Sequence, residues 1–73
     1  MYMLYRTDPD DTDAYMLRSV DANRAMFVRT KFIPQALKEI QLYGWQWDND
    51  EASQRLTPAY TFNSLDDIPE LFI

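Results

Sequence analysis

Large apolar residues cluster along the chain in short runs separated by polar turns, and the spacing inside each run predicts an element. Met1–Arg6 (MYMLYR) is dense in apolar and aromatic side chains and reads as a first strand, followed by the turn cluster Thr7–Asp13. Ala14–Val20 is a second apolar run, and Asp21–Arg24 (DANR) reads as a tight turn. Ala25–Phe32 (AMFVRTKF) predicts a third strand, with Met26, Val28, Thr30 and Phe32 on one face and Arg29 and Lys31 on the other. That alternation suits a sheet with one solvated side. Ala22, Ala25 and Met26 also fit helical spacing, so a helix over 22–32 competes with the strand; β-branched and aromatic content favours the strand.

The period changes after Phe32. Ile33, Ala36, Leu37, Ile40 and Tyr43 recur at three- and four-residue intervals, the stripe of an amphipathic helix over about 34–43. Pro34 suits its first turn, where a missing N–H costs nothing, and Gly44 is the expected left-handed stop. Trp45–Trp47 then predicts the start of a short strand, Asp48–Pro58 a polar loop, and Ala59–Phe62 (AYTF) another short strand. Ser64 opens a capped turn with Asp67 at the capping-box position, and Pro69 limits this last helical piece to one or two turns. The closing Leu71, Phe72 and Ile73 are costly to leave in water and are expected to dock on the body or on a second copy.

Together these elements predict an α+β fold: a small antiparallel sheet of roughly three to five short strands, one amphipathic helix packed on one face, and a short C-terminal helical turn. The length of 73 residues allows a single domain spanning 1–73, and 47% hydrophobic content with a single glycine argues against disorder. A chain this short lies near the lower limit for a self-sufficient core, and it has neither cysteine for disulfides nor histidine for a metal staple. Self-association as a homodimer is one way such a chain gains the missing burial.

Composition also removes function classes. Without His or Cys, the usual general base and the strongest neutral-pH nucleophile are both missing. Ser19, Ser53 and Ser64 lie in neither a G-x-S-x-G elbow nor an S-x-x-K pattern. Gly44 alone cannot build a phosphate-cradling loop. The expectation is therefore no enzyme and no cofactor. The opening MYMLYRTDPDD has no basic lead or cleavage site of a signal peptide, and no run approaches the about 18 apolar residues of a membrane span. A soluble, cytoplasmic protein is expected, and absence of cysteine fits a reducing compartment.

Charge is distributed in blocks around a net of −5. Residues 7–21 hold five aspartates against Arg18, residues 22–47 hold Arg24, Arg29, Lys31 and Lys38 against Glu39, and residues 48–73 hold six acids against Arg55. The acidic balance disfavours direct nucleic-acid binding, which needs a positive surface for phosphate. The cluster Asp8, Asp10, Asp11 and Asp13 invites a calcium reading. It fails as an EF-hand, since counting from Asp8 puts Asp13 where glycine belongs and Ser19 where a bidentate glutamate belongs. A solvated turn whose aspartates bond their own backbone is the expectation, with no metal.

The stretch 43–50, YGWQWDND, carries the most chemistry. In a strand Trp45 and Trp47 share a face, and Gly44 lets the chain bring both rings back against the helix. Burial of both is one outcome; an intermediate puts one indole inside and the other at a rim flanked by Tyr43, Asp48 and Asp50. Aromatic residues beside carboxylates also make an anchor for a protein partner. The predicted function is accordingly a non-enzymatic protein–protein interaction module. Its candidate partner-binding residues are Tyr43, Trp45, Trp47, Asp48, Asp50 and Glu51, with Asp10, Asp11 and Asp13 of the first turn. The alternative is an acidic inhibitor of the anti-restriction or anti-CRISPR kind carried by phages or mobile elements, by analogy of size and charge alone. It would imitate nucleic acid and block a basic groove, drawn there by long-range attraction.

Overall fold

The computed structural model of the chain describes residues 1–47 and 55–67. Five strands and one helix follow in the order β1 (Tyr2–Arg6), β2 (Ala14–Ser19), β3 (Arg24–Arg29), α1 (Ile33–Tyr43), β4 (Trp45–Gln46) and β5 (Tyr60–Phe62). Single 3₁₀ turns sit at Thr30–Phe32 and Leu65–Asp67. The strands form one antiparallel sheet in the order β4-β3-β2-β1-β5, giving the α+β fold that the pattern predicts. No helix among the described residues is long and apolar enough to cross a membrane.

Register decides what each face carries. Leu4 lies opposite Leu17, Leu17 opposite Met26, and Tyr15 opposite Val28, while Tyr2 and Leu4 oppose Phe62 and Tyr60. These residues share one face, and α1 lies across it with Ile33, Ala36 and Ile40 buried against Leu4, Tyr15, Leu17, Val28 and Phe62. Tyr2 stacks on Phe62 with ring centroids 5.6 Å apart, closing the β1–β5 side of this core. The opposite face carries Met3, Tyr5, Met16, Arg18, Ala25 and Phe27, the residues that alternate with the first set.

Both hairpin turns are held by local polar groups. At the β1–β2 turn, Asp10 and Asp13 donate their backbone N–H to the carboxylates of Asp8 and Asp11. This is the self-bonded aspartate turn expected from composition. At the β2–β3 turn, Asn23 takes a positive φ of 54°, a conformation that asparagine tolerates better than most side chains.

Several local expectations are corrected. The third strand stops at Arg29 rather than Phe32: the Thr30 N–H still donates to the Asp13 carbonyl as the last rung of the ladder and its hydroxyl to the Asp13 carboxylate, after which Thr30–Phe32 winds into a 3₁₀ turn that leads into α1. Lys31 therefore leaves the strand face of Arg29 and lies over the Phe32 ring. Tyr43, at the end of the predicted stripe, is 73% exposed instead of buried. Gly44 is extended, with φ −68° and ψ 146°, so it is no left-handed stop. Its reason is space: an added Cβ would lie 2.5 Å from the Ile40 carbonyl oxygen and 3.0 Å from that of Ala25. Helix and sheet thus meet backbone to backbone at Gly44. The Leu65–Asp67 turn is closed by the Asp67 N–H donating to the Ser64 carbonyl. The predicted loop residues 48–54 and the tail Leu71, Phe72 and Ile73 lie outside the described residues.

Gly44→Ala is expected to lower the unfolding free energy by about 2–3 kcal/mol in urea titration, the cost of forcing backbone apart at a close contact. Leu42→Ala, on an exposed helix position, should stay within about 0.5 kcal/mol. Equal stability of the Gly44→Ala and Leu42→Ala chains would contradict the close-approach account.

Candidate functional site

The sheet face opposite α1 is managed by side chains. Trp47 follows β4 and turns onto this face, where it is 6% exposed and stacks on Tyr5 with centroids 5.7 Å apart and planes 21° from parallel. The Arg18 guanidinium covers the indole at 4.5 Å, a cation–π arrangement that shields the ring while keeping the charge near water. Tyr5, Ala25 and Trp47 form a small second core, with Met3 and Met16 packed at its edges. The Tyr5 hydroxyl donates to the Met3 sulfur at 3.2 Å. Arg18 Nε is buried beneath this cover, with no hydrogen-bond partner among the described residues.

Beside this core the surface stays open. Trp45 pairs across β4 with Ala25 and leans on Phe27 at a centroid distance of 4.9 Å, yet the two rings remain 42% and 67% exposed. Two strand residues on from Phe27, on the same face, Arg29 donates to Asp11 at 2.7 Å and lies 3.7 Å from Asp13. The Arg29 hydrogen bond, helped by the backbone N–H of Asp13, holds the Asp11 carboxyl below its ordinary 3.8. The contribution of this pair is in place above that ordinary value and is lost as pH falls through the lowered folded value.

The sequence candidates are thus distributed unevenly. Trp45, Asp11 and Asp13 are brought to one face through β3, by way of Phe27 and Arg29. Trp47 joins them as the buried floor of that face. Both indoles lie opposite the helix rather than against it, because α1 already fills the other face with Ile33, Ala36 and Ile40. Tyr43 ends α1 as an exposed ring, and Asp10 is exposed in the β1–β2 turn. Asp48, Asp50 and Glu51 lie outside the described residues. Phe27 and Arg18 were not among the candidates. An aromatic residue on the polar side of the β3 alternation, beside Arg29, was the signal for Phe27; nothing in the spacing points to Arg18.

Among the described residues no cluster of His, Cys, Asp or Glu is arranged to hold a metal ion. Comparison with protein-family models, with curated proteins and with solved structures finds nothing that matches this chain.

Two outcomes follow for solution measurements. With Trp45→Phe, the remaining Trp47 should emit blue-shifted fluorescence protected from acrylamide; with Trp47→Phe, the remaining Trp45 should emit further to the red and quench readily. Two equally protected indoles would contradict the rim placement of Trp45. By carboxyl NMR titration Asp11 should titrate below its ordinary value, and Arg29→Gln should return it towards that value. An unchanged midpoint would remove Arg29 as the cause.

Proposed function

We propose that this protein is a non-enzymatic protein–protein interaction module that seats its partner on the sheet face opposite α1. The observation that carries this is the exposed Phe27–Trp45 pair, continuous with the Tyr5–Trp47 stack and Arg18. Tryptophan, tyrosine and arginine dominate binding hot spots, and methionine is enriched at contact surfaces. Here all of these residue types converge around a rigid antiparallel sheet. A sheet holds them with little conformational freedom, so ordering them on binding costs little.

Imitation of nucleic acid by the acidic loops has weaker support. Of the first acidic cluster, Asp11 and Asp13 are held on Arg29, and Asp8 caps its own turn. Charge presented this way is partly neutralised at short range.

The test is affinity capture from the native host with the parent chain and with Phe27→Ser/Trp45→Ser, followed by reconstitution of any complex from purified components. The expected result is a partner bound by the parent and weakened at least about tenfold by the double substitution, with little dependence on salt. Binding that survives the double substitution and falls steeply with salt would replace this reading with the acidic one.

A further inference from the structure

The two edges of the sheet differ in how they are closed. β5 is three residues long and follows Pro58 closely, a short edge of the kind that resists further pairing. At the other edge β4 pairs with Arg24 and Ala25, and among the described residues the second half of β3 has no neighbour on that side. Register fixes which groups are left open. Thr30 donates its N–H to Asp13, so hydrogen-bonded pairing with β2 falls on Thr30, Val28, Met26 and Arg24. Ala25, Phe27 and Arg29 consequently point their N–H and C=O the other way. Trp45 lies opposite Ala25, and the four main-chain groups of Phe27 and Arg29 face the open edge. The charge that would guard this edge is the Arg29 guanidinium, and it is held by Asp11 and Asp13. Beside the same edge, between β3 and α1, lies a cavity of about 530 Å³ lined by Met26, Val28, Phe32, Ala36 and Glu39.

We infer that this edge is an interface with a second copy of the chain, in which β3 pairs antiparallel with β3 of its partner about a two-fold axis at Val28. The open groups are spaced for self-pairing: Phe27 of one copy meets Arg29 of the other, twice, giving four main-chain hydrogen bonds. On the face opposite α1, each Arg29 then lies across from an exposed Phe27 ring, within reach of a cation–π contact. On the other face α1 runs back from the end of β3 to its start, so the two-fold brings the Lys31 end of one copy level with Glu39 of the other. That is an attractive pairing of unlike charges across the axis. Phe32, half-exposed on the cavity wall, gains cover in the same step. A chain of 73 residues with neither cysteine nor histidine benefits directly from burial supplied by its own copy. This interface stands apart from the partner-binding reading, because a chain that captures no other protein can still dimerise. In the dimer the two aromatic faces lie side by side on one continuous sheet.

The test combines sedimentation equilibrium over a wide concentration range with hydrogen exchange at the Phe27 and Arg29 amides. The expected result is a monomer–dimer equilibrium in which these two amides become protected as the dimer forms. Phe27→Pro removes one open N–H per copy at an edge position that tolerates proline, and should weaken association by roughly tenfold or more. Should that variant not fold, Glu39→Lys provides a second readout: it should weaken dimerisation several-fold, and the charge swap Lys31→Glu/Glu39→Lys should restore it. A monomer at every concentration would overturn the inference. So would protection of the two amides that is independent of concentration, since the edge is then covered within one chain. A dimer indifferent to Phe27→Pro and to the charge swap would place the contact elsewhere and overturn it equally.

Discussion

A five-stranded sheet has two faces, and among the described residues this chain supplies one helix. Everything distinctive about the molecule follows from that mismatch. The helix takes the face built by Leu4, Tyr15, Leu17, Val28 and Phe62, where close packing of Ile33, Ala36 and Ile40 makes an ordinary apolar core. The other face is left to side chains, and the chain uses its largest ones there. Trp47 folds flat onto Tyr5, Arg18 lies over the indole, and two methionines fill the margins. A tryptophan so placed removes apolar surface from water almost as a short helix would, but over a smaller area. Among the described residues the cover ends at Phe27 and Trp45, which leave the face aromatic and partly open.

Gly44 is what connects the two solutions. It lets the end of α1 touch the start of β3 at backbone distance, which aims β4 along the sheet edge and delivers Trp47 to the far side. A larger residue would push α1 away from β3 and lift the strand that carries the indoles.

Much of the fold was legible in the sequence, because period-2 and period-3.6 patterns act locally. β1, β2 and α1 fall close to their predicted bounds, since each has a strong apolar stripe and clear turn residues. The errors lie where tertiary contacts override local pattern. Thr30 and Phe32 continue the alternation of β3 perfectly well, yet after the Thr30–Asp13 rung the chain winds into a 3₁₀ turn and straight on into α1, whose docking on the sheet the local pattern does not show. Gly44 read as a left-handed stop because glycine usually ends helices that way, and only the approach of the Ala25 carbonyl gives the real reason. The spacing of Trp45 and Trp47 showed that they could share a face but not which face, because that choice depends on α1 having occupied the first. Arg18 carried no local signal at all; its role is set by β2 register and by Trp47, which arrives from beyond α1.

The central claim is that Trp47 closes the second face while Trp45 is left over on it. Urea unfolding of Trp47→Ala and Trp45→Ala tests this most directly. Trp47→Ala should lose about 3–5 kcal/mol, as for a large aromatic removed from a core, and Trp45→Ala no more than about 1 kcal/mol. Equal losses at the two positions, or a larger loss at Trp45, would contradict the account.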